Sequence, residues 1–340
     1  MKLRNVKILL LIIIFGFAFV PVAYAQVDQF EYERPSLNPL FVYGNGEAGY
    51  VDGTLADARF NHPMGAFYTG EVILVADTYN RRVRVVQLEN DKVETIECAA
   101  DSKASCSAEF VFPVDVSCGP DEFCWVLDAG DGSITRIEWN ESFAITGRYM
   151  PQQEGQPLFK GALGLVAADS TLLYIANTYD NRVWSYDVGS DSAAPLVGTG
   201  EAGYDEKEMD AILTPLNHPT SLVNIQTSIM ILDSRNSTIR EGYYNDQSKW
   251  ISSVFSGGGP FPYLTRESDL GQVYDFGLPF RMTYTSFNPG LFYISIPGRN
   301  QVVCLTFERQ AYIVAGEGAM NPAAAGLGKP YAIAAQGNRL

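Results

Sequence analysis

The sequence predicts an all-β chain of repeated four-stranded sheets fanned around a common axis, a β-propeller. Three observations predict it. The string GNGEAGYVDG, starting at position 44, returns as GTGEAGYDE at 198. Each copy is followed by a shared second element, Phe60-Asn61-His62-Pro63 and Leu216-Asn217-His218-Pro219. A third element, VADTYNRRVRVV at 75–86, returns as IANTYDNRVWSY at 175–186. Weaker copies are VLDAGDGSITRI at 126–137, ILDSRNSTIREG at 231–242 and YISIPGRNQVVC at 293–304. Self-similarity at such spacings marks repeat architectures.

The spacing sets the unit. The first two elements recur 154 and 156 residues apart, or about three units of roughly 50 residues, a propeller-blade length. Within the third element, Asp77, Asp128, Asn177, Asp233 and Ile296 align, with steps of 51, 49, 56 and 63. An apolar strand ends at Asp or Asn, a polar four-residue turn follows, and a second apolar strand begins. Asp and Asn side chains bond their own backbone two residues on, which stabilises such turns. The element is therefore a hairpin. In the first unit four strands lie near 65–68, 72–76, 83–87 and 93–98. A sheet with two apolar faces cannot bury both alone, and stacking such sheets about an axis buries them and leaves only short edges.

The string G-x-G-x-x-G-x-x-D-G, then F-N-x-P, then V-A-D-T-x-N-x-R-V is similar to the NHL repeat. Residues 44–86 match nearly throughout, 198–219 and 175–183 in part, and the remaining units in outline, from about Phe41 to the end. The resemblance implies a propeller, most often of six blades. Five hairpin elements are visible. A sixth unit begins at 328–333 and stops at Gly337-Asn338-Arg339-Leu340. Leu40-Phe41-Val42-Tyr43 reads as an outermost strand with no blade of its own, like Pro195-Leu196-Val197 and Tyr312-Ile313-Val314. The expectation is a six-bladed propeller of NHL type, closed by the N-terminal strand, with its last blade incomplete at the C-terminus. Residues 1–25 form a signal peptide, 26–40 a lead segment and 41–340 the propeller.

The signal reading rests on Lys2, Arg4 and Lys7, an apolar run from Ile8 to Val20, and the small-x-small site Ala23-Tyr24-Ala25. The run is short for a membrane span, which needs about 20 residues. No second run of spanning length follows, so the mature chain is expected to be secreted or extracytoplasmic. The net charge is −15; without the three basic residues of the signal, 21 basic against 39 acidic residues leave −18. Such a surface repels phosphate backbones and anionic lipid heads, which disfavours nucleic acid and membrane surfaces and leaves protein or peptide partners, basic ones included. The acidity also serves solubility.

Of five cysteines, Cys98 and Cys106 flank a polar loop, and Cys118 and Cys124 flank a hairpin turn. In an oxidising compartment the expected bridges are 98–106 and 118–124, among three connectivities open to four cysteines. Cys304 is left over in an apolar strand and reads as packing.

Candidates for chemistry are few. The two histidines, His62 and His218, share one repeat position. In blades one and four of six they face each other near one channel mouth, as ligand or metal contacts, or else His simply fills the x of F-N-x-P. A metal site wants three or four ligands and no cluster supplies the rest. Asp77, Asn80 and Arg82 recur as Asn177, Asp180 and Arg182, and recurrence at blade spacing favours a turn staple, with arginine pairing to a neighbouring blade, over a binding surface. Asp128-Ala-Gly-Asp131-Gly lacks the further oxygen ligands of a calcium loop and is a turn, as is the region of Asp233. G-x-S-x-G and H-E-x-x-H are absent. Asn140 and Asn236 open glycosylation sequons, and the hairpin turn at Asn236 is expected to accommodate a glycan.

Three functions follow: an exported non-catalytic scaffold binding a protein, peptide or small ligand on one loop face; a metal-dependent propeller enzyme; or a propeller segment of a larger exported protein. The resemblance supplies the second through amidating lyases and lactone or ester hydrolases, and calcium or zinc enters only with it. Two histidines fit the lyase poorly, and fold alone does not settle function.

Overall fold

The computed structural model describes residues 6–13 and 23–27 by backbone. It further describes residues 47–54, 56–99, 106–119, 123–140, 142–225, 227–257, 278–285, 290–307, 309–316 and 329–335. Blade 1 runs outward through Gly65–Tyr68, Val72–Asp77, Arg82–Gln87 and Lys92–Thr95, with Gly53–Thr54 added at the rim. Blade 2 runs through Pro113–Cys118, Phe123–Asp128, Ile134–Asn140 and Ser142–Tyr149. Glu97–Cys98, leaving blade 1, pairs parallel to the last of these and ties the two blades. Blade 3 comprises Gly164–Ala167, Leu172–Asn177, Arg182–Asp187 and Ser192–Val197. Blade 4 comprises Pro219–Asn224, Ser228–Asp233, Thr238–Tyr244 and Trp250–Gly257, with Met209–Asp210 at its rim. Blade 5 comprises Arg281–Thr285, Leu291–Ile296, Gln301–Thr306 and Ala311–Gly316.

The inner strands of these blades lie side by side in chain order, and Ala332–Ala334 sits between those of blades 5 and 1, closing the ring. Among the described residues there are thus five complete blades, not six. The sixth position holds Ala332–Ala334 as its inner strand, paired by backbone to Val6–Ile13, which pairs in turn to Ala23–Val27. An unpaired strand edge templates any extended segment that reaches it, and the run 6–13 is that segment in the full-length chain. The closing strand expected at 40–43 lies outside the described residues.

Each blade buries both faces, and strand alternation decides where each side chain goes. In Val72–Asp77, Ile73 and Val75 join Ala332 and Ala334, whereas Leu74 and Ala76 join Val126, Ile137 and Ile145 of blade 2. The same division builds the blade 2–3, 3–4 and 4–5 interfaces. Close approach of inner strands needs glycine. A Cβ on Gly65 would meet the Val114 carbonyl oxygen at 2.5 Å, and one on Gly164 the Thr220 carbonyl oxygen at 2.8 Å.

Both expected disulfides are present, Cys98–Cys106 and Cys118–Cys124. The latter pair sits directly opposite across the first hairpin of blade 2. Cys304 is a buried free thiol whose pKa burial pushes up.

Candidate functional site

The second strands of blades 1 to 4 end at Asp77, Asp128, Asn177 and Asp233. A 3-10 turn follows in blades 1, 3 and 4, closed by Arg81, Asn181 and Ser237 in the left-handed region. The Asp77 carboxylate is fully buried and accepts from the Asn61 amide at 2.7 Å, Asn80 Nδ2 at 2.8 Å and Arg84 Nη1 at 3.0 Å. Asp233 repeats this with the Asn217 amide, Asn236 Nδ2 and Arg240 Nε at 2.7, 2.7 and 3.0 Å. Asp128 instead accepts three backbone amides, those of Val111, Phe112 and Gly130. Asn177 Nδ2 donates to the Leu158 carbonyl.

Arginine placement differs from the expected pairing to a neighbouring blade. Arg82 donates to the adjacent Arg81 carbonyl, and Arg182 pairs with Asp180 at 2.7 Å within its own turn. Arg81 is the residue that reaches toward blade 2, through the Phe110 carbonyl at 2.7 Å and Glu109 at 3.1 Å. The buried partners of the turn carboxylates are Arg84 and Arg240. Their common signal, arginine seven residues after the aspartate, is readable in the sequence. Asn236 is buried and its Nδ2 also donates to the Gly203 carbonyl at 2.7 Å. The amide that would carry a glycan is thus committed inside the fold, which overturns the expectation for that sequon.

Burial raises the carboxyl pKa of Asp77 to about 6 against donors from Asn61, Asn80 and Arg84, and likewise raises Asp115, Asp128 and Asp233. A raised folded pKa contributes stability that is fully present below the unfolded value near 3.8 and lost as pH rises through about 6. Relief of the net negative charge acts in the same direction. The thermal unfolding midpoint is therefore higher at pH 5.5 than at pH 7.5, as calorimetry at matched ionic strength will read.

Each histidine sits just before an inner strand, His62 in blade 1 and His218 in blade 4, on opposite sides of the ring. Both have positive φ, 49° and 53°. The His62 ring stacks on Tyr79 with centroids 4.5 Å apart, and its Nδ1 shares a hydrogen bond with Asn61 Oδ1 at 3.0 Å. His218 Nδ1 meets Asn217 Oδ1 at 3.2 Å. Burial and then Arg235 lower the His218 pKa. Each histidine is thus a turn residue with a local partner. Among the described residues no cluster of three or more His, Cys, Asp or Glu could hold a metal ion.

At the hub stands Arg281, the first residue of the inner strand of blade 5, buried and directed across the axis. Its Nη2 donates to the Val114 carbonyl of blade 2 at 2.6 Å and Nη1 to the Thr220 carbonyl of blade 4 at 2.7 Å. Its Nε donates to the Met64 carbonyl beside blade 1 at 3.1 Å and lies 3.7 Å from Asp115 Oδ1. Asp115 also accepts from the Leu165 amide of blade 3 at 2.9 Å. One ion pair thus joins the inner strands of blades 2 to 5 and the residue that precedes the inner strand of blade 1. Val114 and Thr220 are the residues whose carbonyls press on Gly65 and Gly164, so glycine placement and arginine reach are one device.

The open concavity lies elsewhere. A cleft of about 590 Å³ runs between the outer parts of blades 1 and 2, on the loop face opposite the 3-10 turns. Among the described residues its lining contains Glu71, Glu89, Glu94 and Glu97 and no lysine or arginine, with Lys92 pairing to Glu94 from beside it. Trp139 and Phe143, directly opposite across a hairpin, stack with centroids 5.2 Å apart at 15° and form its apolar wall. Carboxylates beside aromatic faces suit a cationic group, which gains from both.

No family model matches the chain. A curated relative, Protein SUPPRESSOR OF QUENCHING 1, chloroplastic, from Arabidopsis thaliana, is 20% identical over 283 residues, covering 58% of this chain and 26% of that protein. The chain thus spans about a quarter of that relative. Among solved structures, a structural genomics protein of unknown function from Bacteroides thetaiotaomicron superposes with a TM-score of 0.66 at 15% identity, covering 96% of this chain and 78% of that one. An auxiliary nutrient binding protein from Bacteroides ovatus gives 0.59 at 15% identity, over 87% and 72% of the two chains. A nidogen/laminin complex gives 0.56 at 12% identity, over 96% and 97%. At these identities the likeness is one of fold: the chain is an all-β propeller.

Proposed function

We propose that this protein is an exported, non-catalytic propeller of NHL type that binds a cationic protein or peptide segment in the acidic cleft between blades 1 and 2. The observation that carries the reading is the division of labour around the axis. Arg281 and Asp115 occupy the hub, and the histidines serve their own turns. The cleft joins open volume, four carboxylates and an aromatic wall. Propellers described as nutrient binding, or solved in a nidogen/laminin complex, accord with a recognition role. The two disulfides, the basic-then-apolar N-terminus and Ala23-Tyr24-Ala25 support export with removal of residues 1–25. That removal would free the edge of Ala332–Ala334.

The test is binding of an octalysine peptide, with octaglutamate as control, to the mature protein. Octalysine is expected to bind with a steep salt dependence. The triple variant Glu89→Lys, Glu94→Lys, Glu97→Lys is expected to weaken it by about tenfold, since three reversed pairs at about 0.5 kcal/mol each sum to roughly 1.5 kcal/mol. Equal affinity in wild type and triple variant would overturn the assignment of the cleft.

A further inference from the structure

The two best copies of the repeat differ at one buried point. In blade 1, Arg84 is fully buried and every guanidinium nitrogen is engaged. Its Nε and Nη2 donate to Asp52 Oδ1, Nη2 to the Val51 carbonyl, and Nη1 to the Arg59 carbonyl and Asp77. Asp52 comes from the surface, with a side chain 43% exposed, and is itself held by the amide and hydroxyl of Thr95. Tyr50 lies over the guanidinium at 5.2 Å.

Blade 4 rebuilds this nest without its second carboxylate. Arg240 is fully buried, pairs through Nε with Asp233 and lies under Tyr204 at 5.3 Å. Both of its Nη atoms have no hydrogen-bond partner. The hydroxyl of Ser252, also buried, has none either. Register places Arg240 opposite Val254 and Gly242 opposite Ser252, so Arg240 and Ser252 project from one face of the blade as diagonal neighbours. The sequence position that matches Asp52 holds Glu206, which is exposed. A buried guanidinium with two idle donors costs free energy that a carboxylate would relieve, because bidentate pairing fits the fork of the group.

We propose that blade 4 carries a carboxylate-binding site. Arg240 Nη1 and Nη2 and Ser252 Oγ are the donors, Asp233 holds the arginine in place, and Tyr204 is the lid. The ligand presents a carboxylate from outside, as Asp52 does in blade 1, and the segment 204–208 moves aside to admit it. Arg84, whose place is filled, is the internal control.

The experiment titrates the mature protein with acetate and with succinate against chloride at constant ionic strength. Arginine Nε–Hε resonances and the thermal midpoint are followed. A saturable shift of the Arg240 signal with no matching shift at Arg84 is expected, along with a midpoint rise of about 2 °C or more at ten times the dissociation constant. Glu206→Gln should retain both responses. The double variant Arg240→Gln, Asp233→Asn removes both charges together and should lose the midpoint response. Should that variant fail to fold, Tyr204→Ala, which opens the lid, is expected to tighten the apparent affinity in the same titration. Absence of any saturable shift at Arg240 in wild type overturns the proposal. So does a response confined to Glu206→Gln, which would mean that Glu206 fills the nest itself.

Discussion

Replacing Arg281 with methionine destabilises the protein by about 3–5 kcal/mol, read as a fall in the urea midpoint at unchanged slope. The substitution removes donors from the carbonyls of Met64, Val114 and Thr220 at once and leaves Asp115 buried with its charge unpaired. The acceptor strands lie 217, 167 and 61 residues away in the chain, so the loss falls on the contacts that close the ring rather than on one blade. Arg281→Lys recovers little, because a single ammonium cannot span carbonyls on three strands as a planar fork does. Adding Asp115→Asn to Arg281→Met recovers part of the loss by removing the stranded charge. A double-mutant cycle therefore shows a coupling of about 1 kcal/mol or more. If Arg281→Met matches wild type within about 0.5 kcal/mol, the hub is not held in this way.

Arg84→Gln in blade 1 is expected to cost about 3 kcal/mol or more, and at least about 1 kcal/mol more than Arg240→Gln in blade 4. The two arginines occupy the same repeat position and are equally buried, which makes the comparison clean. Arg84 joins Asp52, Asp77 and the carbonyls of Val51 and Arg59, and packs between Tyr50 and Phe60 at 5.2 and 5.0 Å. Its loss leaves Asp77 with donors from Asn61 and Asn80 but removes the donors to Asp52 and to the carbonyls of Val51 and Arg59, releasing the segment 51–59 from the rim of the blade. Arg240 has one hydrogen-bond partner, Asp233, which keeps donors from Asn217 and Asn236 after the arginine is gone. Equal costs at the two sites, measured by chemical unfolding, would show that the extra partners of Arg84 contribute nothing net.

The sequence exposed the features that repeat. Strand ends at Asp77, Asp128, Asn177 and Asp233, the polar turns after them, and the bridges Cys98–Cys106 and Cys118–Cys124 are local patterns whose chemistry is complete within a dozen residues. Self-comparison sufficed for them. Arg281 was hidden because its unit is the most degraded copy. The matching inner-strand positions are Gly65, Asp115, Gly164 and Ser221, so no repeat signal marks it, and its acceptors are backbone groups contributed by distant strands. Arg84 and Arg240 carry a weak signal because only blades 1 and 4 place arginine at that position, where blades 2, 3 and 5 have Thr135, Trp184 and Val303. Blade number failed for a related reason. A family expectation of six met a chain in which, among the described residues, the sixth position holds Ala332–Ala334 from the C-terminal side. The cleft was not legible: its carboxylates come from separate turns and strands, and Trp139 and Phe143 face each other across the outer hairpin of blade 2, a position that only blade 4 also fills with an aromatic pair, Tyr244 and Trp250.

Amide hydrogen exchange of the mature protein with and without octalysine reads directly where recognition occurs. Protection is expected at residues 71–72, 88–97 and 139–143, with no change around His62, His218 and the hub strands. Protection centred on the histidine mouth, with the cleft unaffected, would contradict it.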